Sequence, residues 1–453
     1  MALRDRVRNI GSLARAALQD LFNQDHPFGR LALVQVLLLA GDTLVTISLA
    51  GSLFFSISPT AAKSKVLLYL MLTIAPFAVV SPMLGPLIDR SQGARRAMVV
   101  LSCVGRAALC PLMARDVHSL MLFPEAFGVL ILSKLYAVTK GALVPEMAAL
   151  EPGEGWAPAG EEEADGSDGF AGWNAQLTLL GTFAGFAASL PGVALLKGIG
   201  SPAVLWFAAA VFVVGAVAGL RLPSMKRRRR GELALEPEDE WDAHERAMVA
   251  LQPVAHPEVL FALSANAVLR GVTGFLMFML AFDLRRMGSP LYWFGLVLAG
   301  SGAGALLGLA AVTRLAKRVT EQAMIAVALL VVALVAVGCA YWGTLPAQVV
   351  LALAIGMAGA MAQPSFDALI QGYVPPAGQG RAFAKFATRQ QLVWVIGALL
   401  PVAFSIPIVP GDIAIAVLSG AGLLAYLVGR VAIRGRALPA VLGGGPLGPP
   451  PSS

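Results

Sequence analysis

Charge is scarce in this chain. Asp, Glu, Lys and Arg make up 13% of its 453 residues, and hydrophobic residues make up 57%, whereas a soluble domain is about one quarter charged. That shortage excludes an ordinary water-facing surface and points to lipid. Cysteine is scarcer still: Cys103, Cys110 and Cys339 all fall inside apolar runs with no Cys-x-x-Cys pair, which argues against a disulfide framework and a zinc site. The four histidines, His26, His118, His244 and His256, lie in loops or at the ends of apolar runs, so no His-Glu-x-x-His metal helix exists. A Gly-x-Ser-x-Gly elbow and a Walker-type phosphate loop are also missing, which removes hydrolase and ATP-driven pump readings. No enzyme activity, metal or organic cofactor is expected.

What the chain has instead is long apolar runs, each of the length that crosses a bilayer as a helix. Twelve spans are predicted, at 29–55, 65–88, 97–114, 119–140, 171–196, 202–221, 258–283, 291–313, 323–342, 346–370, 383–405 and 412–433. Basic residues set their direction. Lys63, Lys65, Arg115, Lys197, Arg285 and Arg286 fall in or beside one set of loops, and Arg106, Lys134 and Arg270 fall deep within spans. The rest of the 34 Lys and Arg lie in or near the opposite loops and at the two ends, which predicts both termini in the cytoplasm. The expected organisation is a cytoplasmic amphipathic segment at 1–28, a six-helix half at 29–221 with an acidic insert at 151–169, a cytoplasmic linker at 222–257, a second six-helix half at 258–433, and a flexible cytoplasmic tail at 434–453. The formal charge is +7, but the basic run Lys226 to Arg230 reads as a stop-transfer flank or a contact with anionic lipid rather than a nucleic-acid site.

The loop between the second and third spans runs GPLIDRSQGARR, from Gly85 to Arg96. Its Gly-x-Leu-x-Asp-Arg and Gly-x-Arg-Arg pattern resembles the signature loop of the major facilitator superfamily of secondary transporters, with Gly93 one residue later than the family spacing. The resemblance implies an all-α membrane fold of twelve transmembrane helices in two pseudo-symmetric halves, with substrate bound between them near the midplane. It also implies a cytoplasmic gate, carried here by Gly85, Asp89, Arg90, Arg95 and Arg96. Asp367 facing Arg381 is expected to complete that gate. Four pieces, AGDTLVTISLAGSLFF from Ala40, KGALVPEMAAL from Lys140, WNAQ from Trp173 and GYVPPAGQGRAFA from Gly372, resemble the macrolide and siderophore exporters of bacteria. The glycine-rich fifth helix of antiporters is matched in part, by Gly181, Gly185, Pro191 and Gly192, with Phe186 where the family has proline.

A charge at mid-membrane costs about 2.5–3.5 kcal/mol on insertion scales and calls for a partner or water. Asp42 lies 12 residues after Arg30, and Arg270 lies 12 residues after Glu258, each about 18 Å into its helix. In the fold that the chain resembles, those two helices border the central cavity. Asp42 is therefore the candidate proton carrier, with Arg270 as its conformational or substrate-anion partner, and alternating proximity would let the acid load and release a proton. Arg106 could neutralise Asp42 within the first half. Gln35, Glu125, Lys134, Asn266 and Gln363 are candidate cavity residues, and the scattered aromatic and Met side chains suit an apolar and even cationic molecule. The resulting expectation is a monomeric proton-coupled exporter of a hydrophobic small molecule in the bacterial plasma membrane. A proton-coupled importer, a lipid-precursor carrier, and a scaffold or sensor that keeps the fold without its cycle are the alternatives.

Overall fold

The computed structural model describes residues 27–50, 92–150, 168–223 and 256–442, apart from single positions in the connecting turns. Among them the chain forms eleven helices long and apolar enough to cross a membrane, and no strand. They are α1 (Pro27–Ala50), α2 (Gln92–Arg115), α3 (Leu122–Ala148), α4 (Asp168–Gly198), α5 (Ser201–Leu220), α6 (Pro257–Arg286), α7 (Tyr292–Leu315), α8 (Glu321–Trp342), α9 (Leu345–Tyr373), α10 (Gln379–Phe404) and α11 (Ile408–Leu442). Helix closes every backbone hydrogen bond within the segment, as lipid requires. The predicted span 65–88 and the loop residues Gly85, Asp89 and Arg90 lie outside the described residues, as do the amphipathic segment before Pro27, most of the acidic insert and most of the linker.

Local chemistry sets the helix ends. The Thr320 side chain accepts from the Ala323 N–H to start α8, and Gly343, at φ 60°, ends it by donating to the Cys339 carbonyl, the left-handed stop that glycine permits. Prolines in the first turn start α5 and α9, where a missing N–H costs nothing. Two helix ends run more than two turns past expectation: α11, predicted to stop at 433 before a flexible tail, continues as helix to Leu442, and α3 is the other. The span predicted to stop at Lys140 continues to Ala148, because the Lys140 ammonium, which would otherwise seek the interface, lies within electrostatic reach of Asp367 on α9.

The two groups of helices repeat one packing plan. In the first, α1 packs on α4 and α5 and α2 packs on α3 and α5; in the second, α6 packs on α10 and α11 and α8 packs on α9 and α11. The groups meet where α4 touches α7 and α9, and where α3 touches α9 and α10.

Within the second group, α7 and α9 approach backbone to backbone. A Cβ on Gly304 would run into the Leu353 carbonyl, one on Gly308 into the Met357 carbonyl, and one on Gly356 into the Ser301 carbonyl. Small residues spaced by four place one smooth face on the partner helix. Gly302, two residues from Gly304, has nothing within 4 Å of its Cβ direction. Gly304→Ala is therefore expected to cost about 1–3 kcal/mol through overpacking, whereas Gly302→Ala gains up to about 1 kcal/mol of helix propensity. Thermal melting of the two purified variants checks the contrast.

Candidate functional site

Arg106, on α2, is completely buried. Its Nη1 donates to Asp42 Oδ1 on α1 at 2.6 Å, Nη2 to Ser102 Oγ at 2.7 Å and Nε to the Ser102 carbonyl at 3.1 Å. The guanidinium also lies 4.8 Å from the Phe212 ring centroid and 6.0 Å from that of Tyr136, both within cation-π range. Asp42 is tied a second time by Ser133 on α3, whose Oγ donates to Oδ2 at 2.9 Å. One carboxylate thus links α1, α2 and α3. The exposures are unequal: Arg106 is 0% exposed and Asp42 25%. The base is locked in, while the acid remains open to water.

Two turns away on α1, Gln35 is buried and accepts from the Tyr136 hydroxyl at 2.7 Å. The glycines of α4 face this same helix: Gly181 meets Leu39 and Gln35, Gly185 meets Thr43, and Gly192 meets Leu44 and Ile47. That is close small-residue packing of α4 on α1.

On the opposite wall, Arg270 of α6 is exposed, and its Nη2 donates to Gln363 Oε1 on α9 at 3.1 Å. Gln363 also accepts from Asn266 Nδ2 at 2.9 Å and passes its own amide to Asp367 Oδ1 at 2.8 Å. Lys134, at mid-length on α3, lies within electrostatic reach of both Arg270 and Asp42. The expected direct pairing of Asp42 with Arg270 is not made, since Asp42 is occupied by Arg106 on its own side. Glu125 stands apart, in the first turn of α3 beside Asp116.

The halves are joined at one end. Asn174 Nδ2 on α4 donates to Gln371 Oε1 on α9 at 2.7 Å, and Gln371 Nε2 donates to the Gly141 carbonyl on α3 at 2.8 Å. Gln371 is held from behind, because Gln379 Nε2 donates to its carbonyl at 3.2 Å and to that of Val374 at 3.1 Å. The ring of Phe383 on α10 closes on Gly141, where a Cβ would collide with it. This amide clasp, made by α3, α4, α9 and α10, ties the two groups of helices together.

Comparison with known proteins fits this geometry. The family model described as Major Facilitator Superfamily matches residues 31–398. The chain belongs to that superfamily. A curated relative is the uncharacterized protein ML2143 of Mycobacterium leprae, 27% identical over 436 residues, covering 89% of this chain and 71% of the relative. Among solved structures, the human organic anion transporter MFSD10 aligns with a TM-score of 0.63 at 15% identity over 90% of this chain and 99% of its own. A bacterial homologue of the iron transporter ferroportin, in an outward-facing state, aligns at 0.64 and 15% over 89% and 98%. At such identities the likeness is one of fold. The fold class read from the sequence is therefore that of a major facilitator protein: all-helical and multi-pass, built as a secondary transporter.

The described part of this facilitator's signature loop divides its roles. Arg95, 3% exposed, donates to Glu146 Oε1 at 2.8 Å and to the Ala142 carbonyl at 3.0 Å, both near the end of α3. Arg96 donates to the Leu220 carbonyl, and Arg30 to the Arg221 carbonyl at 3.2 Å, so both cations cap the carbonyl end of α5. Asp367 is held by Gln363 and faces Lys140 and Arg270, not Arg381, which lies in the first turn of α10. Sequence reasoning passed over Glu146, Ser133, Lys140 and Gln371. The signal for Glu146 was a carboxylate near the end of an apolar run, opposite a loop rich in arginine, whereas nothing in the sequence marks Gln371 among other glutamines.

Two outcomes follow. Arg106→Gln leaves a half-buried carboxylate without its cation and is expected to cost about 3 kcal/mol, the low end for breaking a buried pair; adding Asp42→Asn recovers most of it, as read by a double-mutant melting cycle. Asn174→Ala with Gln371→Ala removes the clasp, at about 1 kcal/mol per hydrogen bond. That shifts the balance toward the state open at the clasped end by about 30-fold, and distances between spin labels on α4 and α9 register the change.

Proposed function

We propose that this protein is a proton-coupled secondary transporter that exports a hydrophobic small molecule from a bacterial cell by alternating access, with both termini in the cytoplasm. The carrying observation is the inequality within the Asp42–Arg106 pair: the base is sealed among Ser102, Tyr136 and Phe212, and the acid alone reaches water. A proton arriving through the cleft can neutralise Asp42 while the aromatic faces and Ser102 continue to hold Arg106. That event loosens α1 from α2 and from Ser133 on α3, and α1 carries the glycine-packed contact with α4, which bears the clasp residue Asn174. Protonation and the clasp are thereby connected through two helix contacts.

With the orientation given by the basic residues, the clasped end faces the cytoplasm. Proton binding from outside, breakage of the clasp, release of the proton inside and loading of cargo complete an exchange cycle. The resemblance of the four sequence landmarks to bacterial exporters supports this direction, and a proton-coupled importer is the same machine loaded from the other side.

Accumulation of a panel of lipophilic dyes and antibiotics in cells tests the reading. Cells expressing the wild-type protein are expected to accumulate at least one compound several-fold less than vector controls. A proton ionophore or Asp42→Asn should abolish the difference. Equal accumulation in all cells at confirmed expression would remove the exporter reading.

A further inference from the structure

We infer that Asp412 on α11 is a further proton-binding site, its proton carried on Oδ1 and shared with Gln348 Oε1 of α9 in a closed acid–amide pair. Neither side chain has any exposed surface. Gln348 Nε2 donates to Asp412 Oδ2 at 2.7 Å. The two oxygens left over, Asp412 Oδ1 and Gln348 Oε1, are buried and have no hydrogen-bond partner. With the carboxylate ionised both are acceptors, and each lacks the donor that a buried polar atom requires. One proton on Oδ1 turns that oxygen into a donor, and the acceptor it needs belongs to the amide already bound. A carboxylic acid and a primary amide are complementary in this way, since each gives one hydrogen and takes one.

Among the described residues nothing offers a cation in place of that proton. α8 and α6 pack against α11. From α8 the titratable neighbour is Cys339, whose thiol donates to the Ala347 carbonyl at 3.2 Å rather than to the carboxyl group. The one charged residue of α8 is Glu321, about 27 Å from Cys339 along the axis. α6 brings Phe275 and Met279 against Gly411. Its nearest charges flank these: Arg270, which bonds Gln363, and then Asp283, Arg285 and Arg286, of which Asp283 pairs with Arg286 at 3.7 Å. α9 is uncharged from its start up to Asp367, and the next charge on α11 after Asp412 is Arg430. A carboxyl group buried without a cation is neutralised rather than left charged, and the acid–amide pair shows where the neutralising proton goes.

Gln348 and the clasp residue Gln371 stand about 34 Å apart on α9, so the acid–amide pair and the clasp hold opposite ends of one helix. Protonation ties α9 to α11. Loss of the proton leaves two bare acceptors on the one polar contact there and loosens that end of α9. The site is separate from Asp42, which stands in the first group of helices, and it does not depend on the direction of transport.

Infrared spectra of the full-length protein in detergent test this, since the C=O stretch of a protonated carboxyl group stands clear of the amide bands. At mildly acidic pH, where a solvated aspartate is ionised, the wild type is expected to show such a band, lost in Asp412→Asn and kept in Asp42→Asn. Gln348→Leu should move it to higher frequency by removing its hydrogen-bond partners. Asp412→Asn supplies an N–H to Gln348 Oε1 in place of the O–H, so this variant should melt at or above the wild-type temperature. Absence of an Asp412-dependent band, a band that Gln348→Leu leaves unmoved, or an Asp412→Asn protein that melts several degrees lower or fails to fold would each overturn the proposal. So would stabilisation of the wild type by sodium over choline chloride that Asp412→Asn lacks, which would put a metal cation on Oδ1 instead of the proton.

Discussion

A guanidinium with no exposed surface in the middle of a membrane protein must be given a countercharge, and much of the first half is arranged around that need. Arg106 recruits Asp42 from α1, its own helix supplies Ser102, and Tyr136 and Phe212 bring aromatic faces from α3 and α5. Removing any one element leaves a charge in a low-dielectric interior, which costs more than an ordinary packing defect. The pair is unequally exposed: Arg106 has no exposed surface and Asp42 is 25% exposed, the inequality on which the proposed proton route rests.

The second half solves the same problem differently. Arg270 is not sealed but left on the cleft wall, steadied by a Gln363 that also binds Asn266 and Asp367. Because Gln363, Asp367 and Gln371 lie on one face of α9 at four-residue spacing, that helix connects the cleft to the clasp. Further toward its N-terminus the same helix is pressed backbone to backbone on α7 through Gly304, Gly308 and Gly356, so α7 and α9 are built to move as one body. Neutral amides suit a clasp that must break in each cycle. Asn174 and Gln371 lose only ordinary hydrogen bonds when the halves part, whereas a salt bridge there would leave two stranded charges.

Much of this was legible in the sequence, for physical reasons. Lipid forces helices, so apolar length located most ends of the described spans to within a few residues, with the ends of α3 and α11 the largest departures. The end of α3 was misread because Lys140 was taken as an interfacial residue, and its acid, Asp367, lies more than two hundred residues away in the chain. The charged mid-span positions Asp42, Arg106 and Arg270 stood out because such residues are rare in lipid, and the Asp42–Arg106 neutralisation was among the possibilities raised. The pairing of Asp42 with Arg270 was not made, since helical depth gives height in the membrane but not which way a side chain points. Arg96 was assigned to a gate by its motif, and its contact with the Leu220 carbonyl at the end of α5 carries no mark in the sequence. Gln371 was invisible, for a glutamine carries no cost that singles it out until its partners on other helices are known.

The central claim is that the proton moves through Asp42 and that its pairing with Arg106 couples that movement to cargo. Proton flux into proteoliposomes, followed with a trapped pH-sensitive dye after a cargo gradient is imposed, tests it most directly. The account predicts that the wild-type protein moves protons in step with cargo, and that Asp42→Asn protein exchanges cargo for cargo with no proton flux. Undiminished proton flux in the Asp42→Asn protein, or cargo movement in the wild type without protons, would contradict it.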